Sequence, residues 1–260
     1  MIASWFFVIV LDRQQPHGFI SLETFNRALS FLQDLAGLDS EGTPAFMNLS
    51  KWMDSGRLAY ETLAMSVLAI GLAAIATLFT FIFAARNFMW GSLSPHSTLI
   101  SKSIFLSVRV IFTITRAIPE LVWAMLIVFI LSPGILPGAI ALAIHNWGIL
   151  GKLSAEIVEG LDPRPAASLQ AAGANRAKVL FYGILPQALP RFLTYLFYRW
   201  EVIIRTTIVV GFVAAGGLGM EFRLSMSYFH YTTVTMLLIW YLGLVIFVDL
   251  LSAMMRRLIS

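Results

Sequence analysis

The 260-residue chain contains no cysteine, which excludes disulfide staples and thiolate metal ligands. Charge is scarce: only 12% of residues are Asp, Glu, Lys or Arg, about half the share of an average soluble domain. The four histidines, His17, His96, His145 and His230, stand far apart with no ligand spacing, so no metal site is expected. No G-x-x-x-x-G-K-[ST] phosphate loop occurs; "VAAGGLG" is glycine-rich but no lysine follows it. The chain is therefore expected to hold no nucleotide and no other cofactor. It also lacks clustered His, Asp and Glu or an activated serine, which argues against an enzyme buried in the membrane. Its net charge is +4, yet the cations are scattered at apolar borders rather than gathered in a stripe, so nucleic-acid binding is excluded.

What is abundant is apolar surface. Hydrophobic residues make up 58% of the chain and the mean hydropathy is +0.81, more than a soluble fold can cover. The expected class is all-α, a polytopic integral membrane protein with about six transmembrane helices. The first apolar run, residues 1–11, is shorter than the roughly 20 residues that span a bilayer. It lacks the basic start and cleavage site of a secretory signal, and is taken as the outer part of a spanning helix whose beginning is missing or very short. Residues 12–57 are mixed. Phe25, Ala28, Leu29, Leu32 and Leu35 recur at helical spacing among Glu23, Arg27 and Asp34, an amphipathic helix that rests on the membrane surface or packs on the rest of the protein. "GLDSEGTP" is a turn or loop.

Further spans are expected at about 60–85, 99–115, 119–149, 192–213 and 234–254. The third is broken by "SPGILPG", and one crossing with an irregular middle is favoured. With six crossings, Arg86, Lys102, Lys152, Arg164, Arg176, Lys178, Arg191, Arg256 and Arg257 fall on one side, which the positive-inside rule makes the cytoplasm. Residues 151–190 then form a cytoplasmic insert. "LDPRPAASLQAAG" reads as a short helix capped by Asp162, opened by Pro163 or Pro165 and ended by Gly173. "ANRAKVLFYGILP" reads as a second, stopped by Pro186.

Gly173-Ala174-Asn175, with Leu185-Pro186 twelve residues after the glycine, resembles the cytoplasmic signature loop of binding-protein-dependent ABC importer permeases, the MetI-like transmembrane domain. "TRAIPELVWA", "HNWGILGKLSAEIVEGLDP" and "YRWEVIIRTTIVVG" are most similar to the phosphonate-transport permeases, and the resemblance covers roughly residue 61 to the C-terminus. It implies a division into residues 1–57, a partial transmembrane helix plus an external amphipathic segment, and residues 58–260, the permease domain with its coupling loop at 151–190. It also implies ABC ATPase subunits and an external solute-binding protein as partners, a permease homodimer, membrane lipid around it, and a multi-pass location in the bacterial inner membrane. The coupling residues it implies are Ala167, Ser168, Leu169, Ala172, Gly173, Ala174, Arg176, Lys178, Leu185 and Pro186. Leu169, Ala172, Val179 and Leu180 are expected to pack against the ATPase. The family's Glu-Ala-Ala falls on Ala167, Ser168 and Leu169, so the acidic residue is lost and docking would rest on shape and apolar contact.

The span "RFLTYLFYRWEVIIRTTIVVGFV" carries Arg199, Glu201 and Arg205, ionisable groups that are expensive in hydrocarbon. Glu201 and Arg205 are spaced for a helical pair with Tyr198 on the same face, while Arg199 points elsewhere. The pair is either structural or lies beside a pathway where Arg205 attracts an oxyanion. Tyr198, Arg199, Glu201 and Arg205 are the candidate pathway residues. Gly216, Gly217 and Gly219 form an outer turn or a re-entrant gate. Arg116, Pro119 and Glu120 form an outer link in which Arg116 and Glu120 pair or touch the binding protein. The expected function is a transport subunit, not an enzyme: an ABC importer permease for phosphonate, phosphite or a phosphate-like anion. A permease for methionine or another small solute is the alternative, and a secondary transporter independent of ATP is a further one.

Overall fold

The computed structural model describes residues 4–7, 21–38, 43–91 and 98–259. The apolar run at 1–11 and the loop at 37–44 fall partly outside these, and His17 and His96 wholly so. Among the described residues every regular element is helical. Helix α1, Leu22–Ala36, starts where the Ser21 hydroxyl accepts from Thr24 N–H and ends at Gly37, whose φ of 72° lets the chain turn. One part of its apolar face meets the last helix: Phe31 stands edge-on to Tyr231 at 5.3 Å, and the Thr235 hydroxyl donates to Leu35 O at 2.7 Å. Leu22, Phe25, Leu29 and Leu32 remain exposed.

Helix α2, Leu49–Thr80, begins at Asn48, whose side chain accepts from Ser50 N–H. The expected start near residue 60 is thus too late, and the division between residues 57 and 58 falls inside one continuous helix. Its first turns carry polar groups compatible with a helix because they pair along it, as Arg57 does with Glu61 at 3.5 Å. With the 3₁₀ turn Phe81–Ala84, α2 is long and apolar enough to cross a membrane, as is α9, Tyr231–Ile259.

The expected single crossing at 119–149 is instead two helices. Helix α3, Leu99–Ala117, leads through Ile118–Pro119 into α4, Glu120–Leu131, with a bend of 94°. Pro119 forces the preceding residue into an extended conformation, and Trp123 Nε1–H braces the bend by donating to Thr115 O at 3.0 Å. Ser132 at φ 68° and Gly134 at φ 157° then stop the helix, and α5, Ile135–Glu159, starts anew with Pro137 in its first turn. Taken together, α3 and α4 are long and apolar enough to cross a membrane as one broken span.

Helix α5 is the centre of the bundle, packing on α2, α3, α4 and α7, Leu185–Val210. Small residues make this possible. Gly148 lies on the Phe112 carbonyl and the Thr115 hydroxyl, and Gly151 lies on the Phe112 ring, leaving no room for a Cβ at either position. Met65, Ala69, Ala139, Leu142, Leu150, Ile203 and Ile204 fill the core beside them. Helix α8, Gly217–Ser227, and α9 complete the bundle against α2 and α7.

Candidate functional site

Residues 160–184 form a projection at one end of α5 and α7. Helix α6, Arg164–Ala171, is opened by Pro163 and Pro165, and Asp162 accepts from Arg164 N–H at 3.0 Å. It ends in a six-to-one and five-to-two pair of hydrogen bonds: Ala174 N–H to Leu169 O and Gly173 N–H to Gln170 O, both 2.9 Å. This closure needs a left-handed residue, and Gly173 supplies it at φ 80° with open space around it.

The second half departs from the sequence pattern. Asn175 caps a turn at Arg176–Lys178, which widens into a π turn, Val179–Ile184, and runs straight into α7. Pro186 is not a stop. The π turn carries the chain past the point where its missing N–H would matter, and the proline sits in the first turn of the next α segment. Gln187 Nε2–H donates to Gly183 O at 2.5 Å across this junction. Gly183 is also where α6 is seated: a Cβ there would stand 3.1 Å from Leu169 Cδ1 and 3.3 Å from Ala166 Cα. The projection is therefore joined to a long helix without an intervening flexible loop.

Seating consumes residues expected to face outward. Val179 is buried in the protein's own second core, and Leu169, Ala174, Leu180 and Leu185 pack on it, because the apolar side of a short amphipathic helix turns toward its nearest apolar neighbour. Outward instead are Ala167, Ser168, Ala172, Gly173, Arg176, Lys178 and Pro186. Two aromatic side chains that sequence reasoning passed over, Phe181 and Tyr182, are 60% and 74% exposed. Their signal in the sequence is an adjacent aromatic pair beside a polar turn.

In α7, Glu201 and Arg205 do not pair with each other. Glu201 binds Arg256 of α9; Arg256 also donates to Ser252 Oγ at 2.6 Å, and that hydroxyl donates to Phe197 O at 3.0 Å. Arg205 Nη2 donates to both carboxylate oxygens of Asp249, at 2.9 and 2.7 Å. Each ion pair crosses from α7 to α9, where the opposite charge lies closer than the next turn of the same helix. Arg199 faces the other way: its Nε–H and Nη2–H both donate to Asn146 Oδ1 of α5, at 2.9 and 2.6 Å. At about 100° per residue, Tyr195, Tyr198, Arg205 and Val209 share one side of α7, and all four are exposed. That open stripe has Arg199 along one edge and Glu201 along the other.

Arg116 and Glu120 do not pair either. Glu120 Oε2 lies 3.5 Å from His145 Nε2, while the other ring nitrogen of His145 is 3.0 Å from Ile118 O. The bend at Pro119 turns Glu120 toward the middle of α5, and Arg116 lines a cavity of about 80 Å³ with Arg109 and Lys152. Gly216 and Gly217, at φ 83° and 65°, turn the chain from a π turn at Gly211–Ala215 into α8. A Cβ on Gly217 would lie 2.5 Å from the Thr62 hydroxyl, which accepts from Leu218 N–H at 2.9 Å. Gly219 rests on Gly211 and on the Ile208 carbonyl. The stretch is thus a close-packed helix start, sharply bent by 50° from the helix before it.

Comparison with known proteins agrees with this architecture. The chain is 33% identical over 240 residues to the phosphite transport system permease protein PtxC of Stutzerimonas stutzeri, covering 92% of this chain and 82% of that protein. It is 33% identical over 204 residues to the phosphate-import permease protein PhnE of Mycolicibacterium smegmatis, covering 78% of this chain but only 36% of that longer protein. The fold is similar to that of a chain in the inward-facing MetNI methionine ABC transporter structure, with a TM-score of 0.64 and 19% identity over 78% of this chain and 95% of that one. Residues 87–260 match the family of inner membrane components of binding-protein-dependent transport systems, and the chain belongs to that family.

Proposed function

We propose that this chain is the membrane-spanning subunit of an ABC importer that moves a tetrahedral phosphorus oxyanion, phosphite, phosphonate or phosphate, into the cytoplasm of a bacterium. The observation that carries the coupling half of this reading is the exposed projection at α6, seated on Gly183 and continuous with α7. A push on α6 from a nucleotide-driven ATPase is delivered to a spanning helix through packed side chains. Ala167, Ser168, Ala172, Gly173, Arg176 and Lys178 offer the docking surface. Leu169, Ala174, Leu185 and Pro186 hold its shape. An external solute-binding protein delivers substrate at the opposite end of the bundle, near the Gly216–Gly219 turn and the start of α5.

The stripe of α7 that bears Tyr198 and Arg205 supports a place for the route itself. Half-exposed charges in the middle of a span are costly against lipid, so this face turns to a second copy of the chain or to water between the two copies. A homodimer in the inner membrane satisfies both, with lipid around its outer helices. The substrate class rests on the likeness to phosphite and phosphate permeases. The decisive experiment reconstitutes the permease with its ATPase and binding protein in liposomes and measures ATP-dependent uptake of labelled phosphite, phosphate, methylphosphonate and methionine. Uptake of a phosphorus oxyanion that stops on removal of the ATPase supports the reading; uptake of methionine alone, or uptake without ATP, overturns it.

A further inference from the structure

The ionisable groups of α7 differ in how they are neutralised. Glu201 is matched by Arg256, and Arg205 by Asp249. Arg199 has no carboxylate within ion-pair distance among the described residues; its partner is the neutral amide oxygen of Asn146. The acid that acts on it through space is Glu120, and that carboxylate is in contact with His145.

A guanidinium has five N–H donors. Two are spent on Asn146, and three remain. Asn146 is 1% exposed and held by its own Nδ2–H, which donates to Leu142 O at 2.7 Å. Its side chain cannot swing, so the fork of Arg199 is fixed in direction. Arg199 itself is only partly buried and borders the exposed stripe next to Tyr198. A fixed, partly open cation beside a phenol hydroxyl matches a tetrahedral oxyanion, which takes two parallel N–H donors.

Resting on the oxyanion reading above, we infer that Arg199, aimed by Asn146, is the anion contact of the translocation route, and that Arg205 is not. Arg205 binds its own carboxylate on both oxygens and serves to join α7 to α9.

The bridge between Arg199 and Asn146 also ties α5 to α7, so the test must separate charge from bracing. Asn146→Asp does so. It keeps an acceptor toward Arg199 and makes the bridge an ion pair, though it gives up the Asn146 Nδ2–H bond to Leu142 O, and it puts a carboxylate where the anion's complement should be. In liposomes holding the full complex with ATPase and binding protein, labelled phosphite uptake by Asn146→Asp falls about tenfold or more, the loss expected when a charge-assisted hydrogen bond is removed, while the variant still purifies folded and assembled with its ATPase. A second pair of variants holds if Asn146→Asp folds poorly: Arg199→Lys keeps the charge without the fork and retains more uptake than Arg199→Gln. Wild-type uptake by Asn146→Asp, or equal uptake by Arg199→Lys and Arg199→Gln, overturns the inference and leaves Arg199 a brace. If the wild-type complex moves no phosphorus oxyanion, the substrate reading falls, and this inference with it.

Discussion

Arg205 on α7 holds both carboxylate oxygens of Asp249 on α9, at 2.9 and 2.7 Å, and a carbonyl of the same turn accepts from the Tyr241 hydroxyl at 3.3 Å. Two long helices are thus pinned near the middle of α9. Asp249→Asn removes the negative charge and leaves a guanidinium facing hydrocarbon or a partner surface. Because the pair is 47% and 38% exposed, solvent screens it in detergent, and the expected loss there is only about 1 kcal/mol. In a bilayer the stranded cation costs about 2.5–3.5 kcal/mol on the insertion scale. The double variant Arg205→Met with Asp249→Leu should be more stable than Asp249→Asn, since no charge is left alone. Thermal unfolding of the three proteins in nanodiscs checks this; a double variant less stable than the single one would refute it.

Gly183 sets the distance between α6 and α7. A Cβ there meets Leu169 Cδ1 at 3.1 Å and the Ala166 backbone at 3.3 Å. The Leu169 end can yield, but the Ala166 backbone cannot without moving α6. Gly183→Val should cost about 1–3 kcal/mol by overpacking and lift the projection off its seat. The expected phenotype is uncoupling: the complex still assembles and hydrolyses ATP, but the binding protein no longer stimulates hydrolysis and most uptake is lost. Full uptake by Gly183→Val would show that the seat does not transmit force.

The long apolar runs of α2, α7 and α9 were legible in sequence because each needs only its own composition to declare itself. Helix α6 was legible as well, since proline, Asp162 and Gly173 act locally. The partners of Glu201 and Arg205 were not. The i, i+4 rule sees one helix, whereas Arg256 and Asp249 lie 55 and 44 residues downstream and meet α7 only after α8 has reversed the chain. Asp249 did carry a signal, a lone acid within an apolar span, but its sequence neighbours do not reveal which cation it faces. Pro186 misled for a physical reason: proline ends a helix only where its missing N–H is required, and a π turn shifts that requirement. The "SPGILPG" break was visible, yet its meaning depended on the bend at Pro119, which decides that α4 continues α3 rather than α5.

Gly219 and Gly243 offer a paired comparison. A Cβ on Gly219 would collide with the Ile208 carbonyl and lie 2.9 Å from Gly211 Cα, whereas nothing lies within 4 Å of a Cβ on Gly243. Both are helical, so alanine gains up to about 1 kcal/mol of helix propensity at each. At Gly243 that gain stands unopposed, and Gly243→Ala should raise the melting temperature slightly. At Gly219 the added methyl collides with backbone, which cannot rotate away, and a net loss of about 2 kcal/mol or more is expected. Measured by unfolding in detergent, the two substitutions should move stability in opposite directions. Equal effects would mean that the α7–α8 corner can open without cost.

Phe181 and Tyr182 stand on the π turn with 60% and 74% of their surface uncovered, beside Lys178 and Arg176 and away from the protein's own core. Burying an aromatic ring against a partner contributes far more than the surrounding small residues can, and a central aromatic anchor typically costs 2 kcal/mol or more when cut to alanine. On the coupling role proposed above, these rings are the largest exposed apolar side chains the projection offers an ATPase. Phe181→Ala and Tyr182→Ala should therefore lower the melting temperature of the isolated permease only slightly, because most of each ring is uncovered. Each should weaken capture of the ATPase by about 30-fold, measured by titrating ATPase onto permease in nanodiscs. Ala167→Glu, made in the Phe181→Ala background, should recover part of that affinity if the docking cleft retains a basic group to meet it. Unchanged affinity in both alanine variants would place the ATPase contact on the α6 face that bears Ala167, Ser168 and Ala172 alone.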